Sequence, residues 1–396
     1  MMIRPLAAAL LVLSIAPFRR SPLPCEERAG EGPGEGAPPA SAPISPSTDR
    51  AIIERWLYVA EDAAVGVYDI DHGHRLLRRI PVPGAGDWKG IGASVRYGHL
   101  YLTSHEQDEL IAIDLASGRV VWRRHVGGYA DSFAVSPDGA WLYVPLRHEA
   151  AWAVVDAGTG AVVRRIETEH GARYTAQTDV GVGPHNTWLS PDGARVYMEI
   201  LTVPYVYVAD TRTGRVLGKI GPFSSGVRPF TVGADERRLY ANVDLLRGFE
   251  TAELRAGRFG GETVRRLVAR VPDARFRAIA PPPVSRMPHL TPSHGIALTP
   301  DGRELWVVDG VYGYLHVFAV DGAAPVQIAS IPLTAPGGGW AHPGWVSFGI
   351  DGRYAYVDGG FVIDTRTRRL AARIPSSAEV VEVDFEGGKA IRAGHR

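Results

Sequence analysis

The chain of 396 residues contains a single cysteine, Cys25, and that scarcity removes several kinds of chemistry. One thiol allows no intrachain disulfide, no CxxC metal knuckle and no CxxCH haem attachment. Charge of one sign is not in surplus either. Lys and Arg together number 43, as do Asp and Glu, for a formal net charge of zero. Bulk attraction to nucleic acid or to an acidic membrane is therefore not expected. Helical periodicity is nearly absent, so a helical bundle or a coiled coil is excluded.

The one apolar run of note, residues 5–17, is shorter than a bilayer span but suits the core of a signal peptide. Arg4 precedes it and Arg19-Arg20 follows it. Ser14-Ile15-Ala16 has small residues at cleavage spacing, although Pro17 is unfavourable there. Pro22-Leu23-Pro24 before Cys25 does not make a lipobox. Residues 1–24 are read as a signal peptide or N-terminal anchor, which places the mature chain outside the cytoplasm, periplasmic or secreted. Any membrane contact would run through that anchor alone. Residues 25–50, rich in Gly, Pro, Ala, Glu and Ser, cannot bury a core and read as a disordered tether.

What the chain has in quantity is a repeat. Residues 136–166 open with Ser136-Pro137-Asp138-Gly139 and continue through two apolar runs to Asp156. They turn at Gly158-Thr159-Gly160 and finish on a third run. Short β-branched and aromatic segments separated by turn chemistry predict a meander of antiparallel strands. The turn recurs at Asp192-Gly193, Pro300-Asp301-Gly302 and Asp351-Gly352. The hairpin recurs at Asp210-Thr211-Arg212-Thr213-Gly214 and Asp364-Thr365-Arg366-Thr367. Weaker copies lie near Asp235, at Tyr97 to Gly118 and at the start, near Arg55. A period of about forty to fifty residues with four strands each is the mark of a β-propeller blade.

Seven copies fall at residues 55–86, 87–127, 128–170, 181–222, 226–272, 291–333 and 343–374. The fold expected is all-β: a single seven-bladed propeller of four-stranded antiparallel blades over residues 51–388, with 389–396 as a tail. The first copy lacks a strand and the last is followed by a spare one at 378–385. That C-terminal strand should complete the first blade and close the ring. Two connections are long, 169–183 and 273–292, and long loops in compact folds are functional or disordered.

The repeat register says which side chains should meet at the channel mouth. Five positions before the Ser or Thr of the turn stand Asp131, His185 and His294. Alignment of the weaker copies adds Lys89 and Arg228, and blade seven has His342 nearby. The ends of second strands contribute Glu199, Asp244, Asp309 and Asp358, and His105 and His148 belong to the same face. His185, His294 and His342 with a carboxylate would suit zinc, copper or iron. Lys89 and Arg228 with the histidines would suit an acidic ligand. Polar groups that merely bond exposed backbone around a wet channel are the third possibility, and the residues alone leave all three open. Trp340 and Trp345 flank His342 and could wall a pocket. Ser132 beside Asp131 lacks a nucleophile elbow, which argues against a serine hydrolase.

The segments SPDGAWLYV and AVVDAGTGAVVRRI resemble the repeats of YVTN-type β-propellers, over about residues 55–386. That superfamily is similar to the haem d1-binding propeller of cytochrome cd1 nitrite reductases, to lactonase-like propellers and to the nitrous oxide reductase propeller. The superfamily includes exported surface and periplasmic proteins of widely different function, so the resemblance alone licenses no reaction. The expected protein is an exported monomer that presents its channel face to a small-molecule or protein ligand, with a metal- or haem d1-dependent oxidoreductase or a lactonase-like hydrolase as alternatives. His185 or His294 would match the iron-ligating histidine of the haem d1 propellers. A surface scaffold is a further possibility.

Overall fold

The structure, a computed structural model of the chain, describes residues 52–394 except 106, 169–182, 202, 256–257, 272–290 and 339–340. The expected leader and tether, the long connection before blade 4, Trp340 and almost all of the 273–292 segment lie outside the described residues. What is described contains 29 strands and no helix. The strands form seven antiparallel sheets, six of four strands and one of five. In the six four-stranded sheets chain order is spatial order, as hairpin-connected strands require, and the five-stranded sheet joins the last two strands of the chain to the first three.

The repeat motif explains itself in the turns. The Ser136 hydroxyl donates to Asp138 Oδ1 at 2.6 Å and accepts the Trp141 N–H at 2.9 Å. Asp138 Oδ1 also accepts the Ala140 N–H, and Gly139 sits at φ +69°, where a Cβ would be strained. Ser190 with Asp192 and Thr299 with Asp301 repeat the arrangement. In the hairpins Asp156 Oδ1 accepts both the N–H and the hydroxyl of Thr159 at 2.8 Å, as Asp210 does for Thr213 and Asp364 for Thr367. These short-range bonds replace the ladder where each strand reverses.

Packing follows from position in the blade. The second and third strands, such as His99–Ser104 and Glu109–Asp114, are buried almost throughout because a blade covers each face. The outer strand Val120–His125 is mostly exposed and carries Arg123 and Arg124. Among the described residues seven apolar clusters lie one between each pair of neighbouring blades, and a small eighth gathers Val271, Val311, Tyr312 and Tyr314. The seventh sets Leu57, Val59 and Tyr68 of blade 1 against Tyr356 and Val362 of blade 7, so the ring is closed.

Closure uses the C-terminus, as the repeat count required. Val380–Glu386 pairs antiparallel with Ile53–Glu61, from Ile53 opposite Glu386 to Val59 opposite Val380. The structure adds one strand that the sequence reading had left as tail. Gly387 and Gly388, both at positive φ, turn the chain back, and Lys389–Ala393 becomes a fifth strand inside blade 1. Two left-handed residues in sequence are what a tight two-residue hairpin needs, and glycine supplies both. This strand also touches the innermost strand of blade 2, so it occupies part of the central channel.

Candidate functional site

The register positions are held at the channel mouth by irregularities in the innermost strands. Pairing with the second strand slips between Trp88 and Gly90, between Pro184 and Thr187, and between Val227 and Phe230. Lys89, His185 and Arg228 therefore sit in β-bulges, which bend a strand and redirect its side chains. In blades 6 and 7 the innermost strands begin only at Ile296 and Val346, so His294 and Gly344 lie just ahead of them.

A cavity of about 230 Å³ opens where these positions meet. Lys89, Asp131, His185, His294, His342 and Asp358, all expected from the register, line it. Trp88, Arg147, Asn186, Trp345 and Glu379 complete its polar and aromatic wall. Trp345 had been noted from sequence, whereas Arg147 was missed. Its signal is a basic residue one place beyond the second strand of blade 3, in a stretch where only His148 had drawn notice.

The two cations of the wall, Lys89 and Arg147, each have a carboxylate partner. Arg147 Nη1 donates to Asp131 Oδ2 at 3.3 Å, and the Ser132 N–H donates to Asp131 Oδ1 at 2.8 Å. Lys89 Nζ lies 2.8 Å from Asp87 Oδ1, whose other oxygen accepts from His105 Nδ1 at 2.9 Å. Burial pushes the His105 imidazole down to about 3 despite that bond, so it is neutral at ordinary pH. Asp358 accepts the N–H of Gly344 and of Gly359.

His185 is the best-positioned imidazole. Its Nδ1 lies 3.2 Å from Glu199 Oε2 and 2.6 Å from the Asn186 amide nitrogen, and its Nε2 lies 4.0 Å from Asp131 Oδ2. Glu199 is fully buried behind it and also accepts the Asn186 N–H at 3.1 Å. Burial raises the Glu199 carboxyl to about 8, against the pull of Arg228, the Asn186 donors and Arg147. His294 donates Nδ1–H to Gly344 O at 3.0 Å, and its ring centroid is 6.2 Å from that of His185. His342 is more exposed and donates Nδ1–H to Gly310 O at 2.7 Å.

Arg228, Asp244, Glu199, Asp309, His105 and His148 do not line the cavity. Arg228 is 4% exposed and donates Nε–H to Asp244 Oδ1 at 2.5 Å, so the two candidates neutralise each other. Glu199 stands in the second rank, behind His185. Asp309 is fully buried; it accepts the N–H of Val311 and Tyr312, and its other oxygen faces His316 Nε2 at 3.3 Å. His316 Nδ1 in turn meets Ser330 Oγ at 2.8 Å. That chain ties three strands of blade 6 together and has no access to the cavity.

The donor set was tested for a metal or haem. Among the described residues no three His, Cys, Asp or Glu side chains stand close enough to hold one metal ion. The face cavity by itself is smaller than the roughly 300–1,000 Å³ of drug-sized pockets. What the walls offer is hydrogen-bond donors and acceptors in similar measure, between two tryptophans.

No protein-family model and no curated protein matches the chain. Solved structures do. Hydrazine synthase of Kuenenia stuttgartiensis is similar at a TM-score of 0.58 and 16% identity, covering 81% of this chain and 93% of that one. The periplasmic gluconolactonase PpgL of Pseudomonas aeruginosa is similar at 0.60 and 16%, covering 87% and 99%. The dihydro-haem d1 dehydrogenase NirN, solved in complex with DHE, is similar at 0.53 and 18%, covering 86% and 73%. At these identities the likeness is one of fold. At that level the resemblance read from the repeats holds, and the chain is a seven-bladed β-propeller of the architecture that haem d1-binding and lactonase-like proteins share.

Proposed function

We propose that the chain is an exported binding propeller whose face cavity takes a small, uncharged, oxygen-rich molecule, a sugar or sugar lactone. The observation that carries this reading is the matched wall. Every cation on it has a carboxylate partner within the protein, while donors, acceptors and two indoles remain as lining. A free ion would have to break those pairs, whereas a polyol or lactone can bond to them as they stand. Trp88 is fixed in the wall, since its indole N–H is held by the carbonyls of Glu61 and Asp62 and the ring also packs against the cluster between blades 1 and 2. The apolar run after Arg4 and the likeness to a periplasmic gluconolactonase support export and this ligand class.

Calorimetry with glucose, glucono-1,5-lactone and gluconate tests the reading. The two neutral compounds should bind and gluconate should bind at least about tenfold more weakly. Lys89→Ala and Trp345→Ala should each weaken binding about tenfold. Ser330→Ala, which removes bonds to His316 and Gln327 within blade 6, away from the cavity lining, should lower the melting temperature by about 2–4 °C without altering affinity. Tighter binding of gluconate, or no binding by any of the three, would refute the proposal.

His185 favours a second reading, hydrolysis of such a lactone. With its Nδ1–H directed at Glu199, it could take on Nε2 the proton of a water that attacks the lactone carbonyl, and ring opening would release the hydroxy acid. Acid release followed at constant pH should then fall about 100-fold or more in His185→Ala.

A further inference from the structure

A second space of about 370 Å³ adjoins the face cavity, with Ser132, Asn186 and Trp345 in the lining of both. That space ends among the turns at the opposite end of the blades, at Pro300, Gly302 and Gly349. Between the two ends its walls are largely apolar: Trp188, Phe230, Ile296, Leu298, Val346 and Phe348 all face it. Ala393 and Gly394, from the C-terminal strand, form part of one side. A further space of about 260 Å³ lies across Trp188 and Gly394, walled by Ile91, Phe133, Val135 and Val381.

Unfilled apolar volume of this kind is costly. Side chains around a void lack dispersion partners, and water gains few hydrogen bonds there. The C-terminal strand fills only part of the channel and leaves a slot with a polar mouth and an apolar shaft. Resting on the reading of the face cavity as a ligand site, we infer that the natural ligand is an amphiphile. Its oxygen-rich head sits among Lys89, Arg147, His185 and His294, and an alkyl or acyl tail runs down the channel beside the C-terminal strand. At about 30 Å³ for a water-sized group, the space holds a tail on the order of ten carbons.

A graded series of neutral γ-lactones, from γ-butyrolactone through γ-octalactone to γ-dodecalactone, separates head from tail. Calorimetry on the full chain should show affinity rising two- to fourfold for each added methylene, about the value of removing one CH₂ from water. Thr231 is half-buried on the channel wall. Thr231→Phe should flatten the length dependence while leaving γ-butyrolactone unchanged, and Thr231→Val should behave as the parent. If the Phe variant does not fold, the length series on the unaltered protein still decides. Equal affinity for short and long lactones would overturn the tail while the head site stands. No binding by any lactone, short or long, together with no binding of glucose, would remove the head site and the inference with it.

Discussion

A chain ending at Pro375 is expected to be recovered as aggregate, whereas one ending at Glu386 should fold. The difference is the strand Val380–Glu386. It supplies Val381, Val383 and Phe385 to the cluster between blades 1 and 2, at 6%, 0% and 1% exposure. Burial of three such side chains is worth on the order of 5–9 kcal/mol, comparable with the whole net stability of a domain at about 5–15 kcal/mol. Its loss would also leave Ile53–Glu61 as an unpaired edge, a template for association with other chains.

The strand does more than fill blade 1. Glu382 accepts Arg55 Nε–H at 3.1 Å and the Ile350 N–H at 2.8 Å, so it joins the first blade to the seventh. The final strand contributes less: Ala390 is buried, and Arg392 reaches Asp384 at 3.0 Å with more than half of its own side chain exposed. A chain ending at Glu386 should therefore melt cooperatively only a few degrees below the parent, and its channel should be wider. Soluble yield and thermal melts followed by circular dichroism read both outcomes. A soluble, cooperatively melting chain ending at Pro375 would show that contacts such as Leu57 with Tyr356 and Val362 close the ring unaided.

The contrast between what was legible in the sequence and what was not has a physical pattern. Features made by bonds a few residues long were readable, because the residues that make them are adjacent. Ser136 with Asp138 and Asp156 with Thr159 are such bonds, and they repeat often enough to count blades. The cavity positions were readable at one remove, since a repeat places equivalent residues at equivalent heights around the axis. That is why Lys89, Asp131, His185 and His294 meet.

Register cannot say which charges cancel. Arg228 and Asp244 were both candidates, and only the fold shows that they bond to each other rather than to anything in the cavity. Asp309 shares its height with cavity residues, yet His316, itself held by Ser330, claims it from the neighbouring strand of its own blade. The fifth strand of blade 1 escaped for a different reason. Lys389–Ala393 has neither the turn motif nor the apolar richness of the other strands, and only the Gly387-Gly388 pair marks the reversal. Its presence converts an open channel into the slot proposed to hold a tail.

The second large effect concerns pH. Glu199→Gln is expected to raise thermal stability above about pH 8 and to change it little near pH 5. Glu199 is fully buried, and in the described residues its Oε1 has no hydrogen-bond partner, while Oε2 accepts the Asn186 donors. Its carboxyl stands at about 8 in the folded chain, chiefly through burial, against an ordinary 4.5. An acid whose folded value is raised stabilises the fold below its unfolded value, and that contribution is lost as pH rises through the folded value. Between about pH 5 and pH 9 the loss is on the order of a few kcal/mol.

Glutamine keeps the shape and the acceptor but cannot ionise, so the variant escapes the alkaline loss. Other groups do not obscure the comparison. Burial holds His74 down to about 4 and His105 to about 3, and such groups cost stability as pH falls below about 6.5, which affects parent and variant alike. The quantity to plot is therefore the difference in melting temperature between variant and parent, measured from pH 5 to pH 9. It should start near zero at about pH 5, climb until about pH 8 and level off above it, whereas lactone binding by the parent should weaken around pH 8, as the charge appears behind His185 in the folded chain. A flat difference would mean that Glu199 ionises normally and that Arg228 and Arg147 compensate it fully. His185 would then face a carboxylate, not a carboxylic acid, at neutral pH.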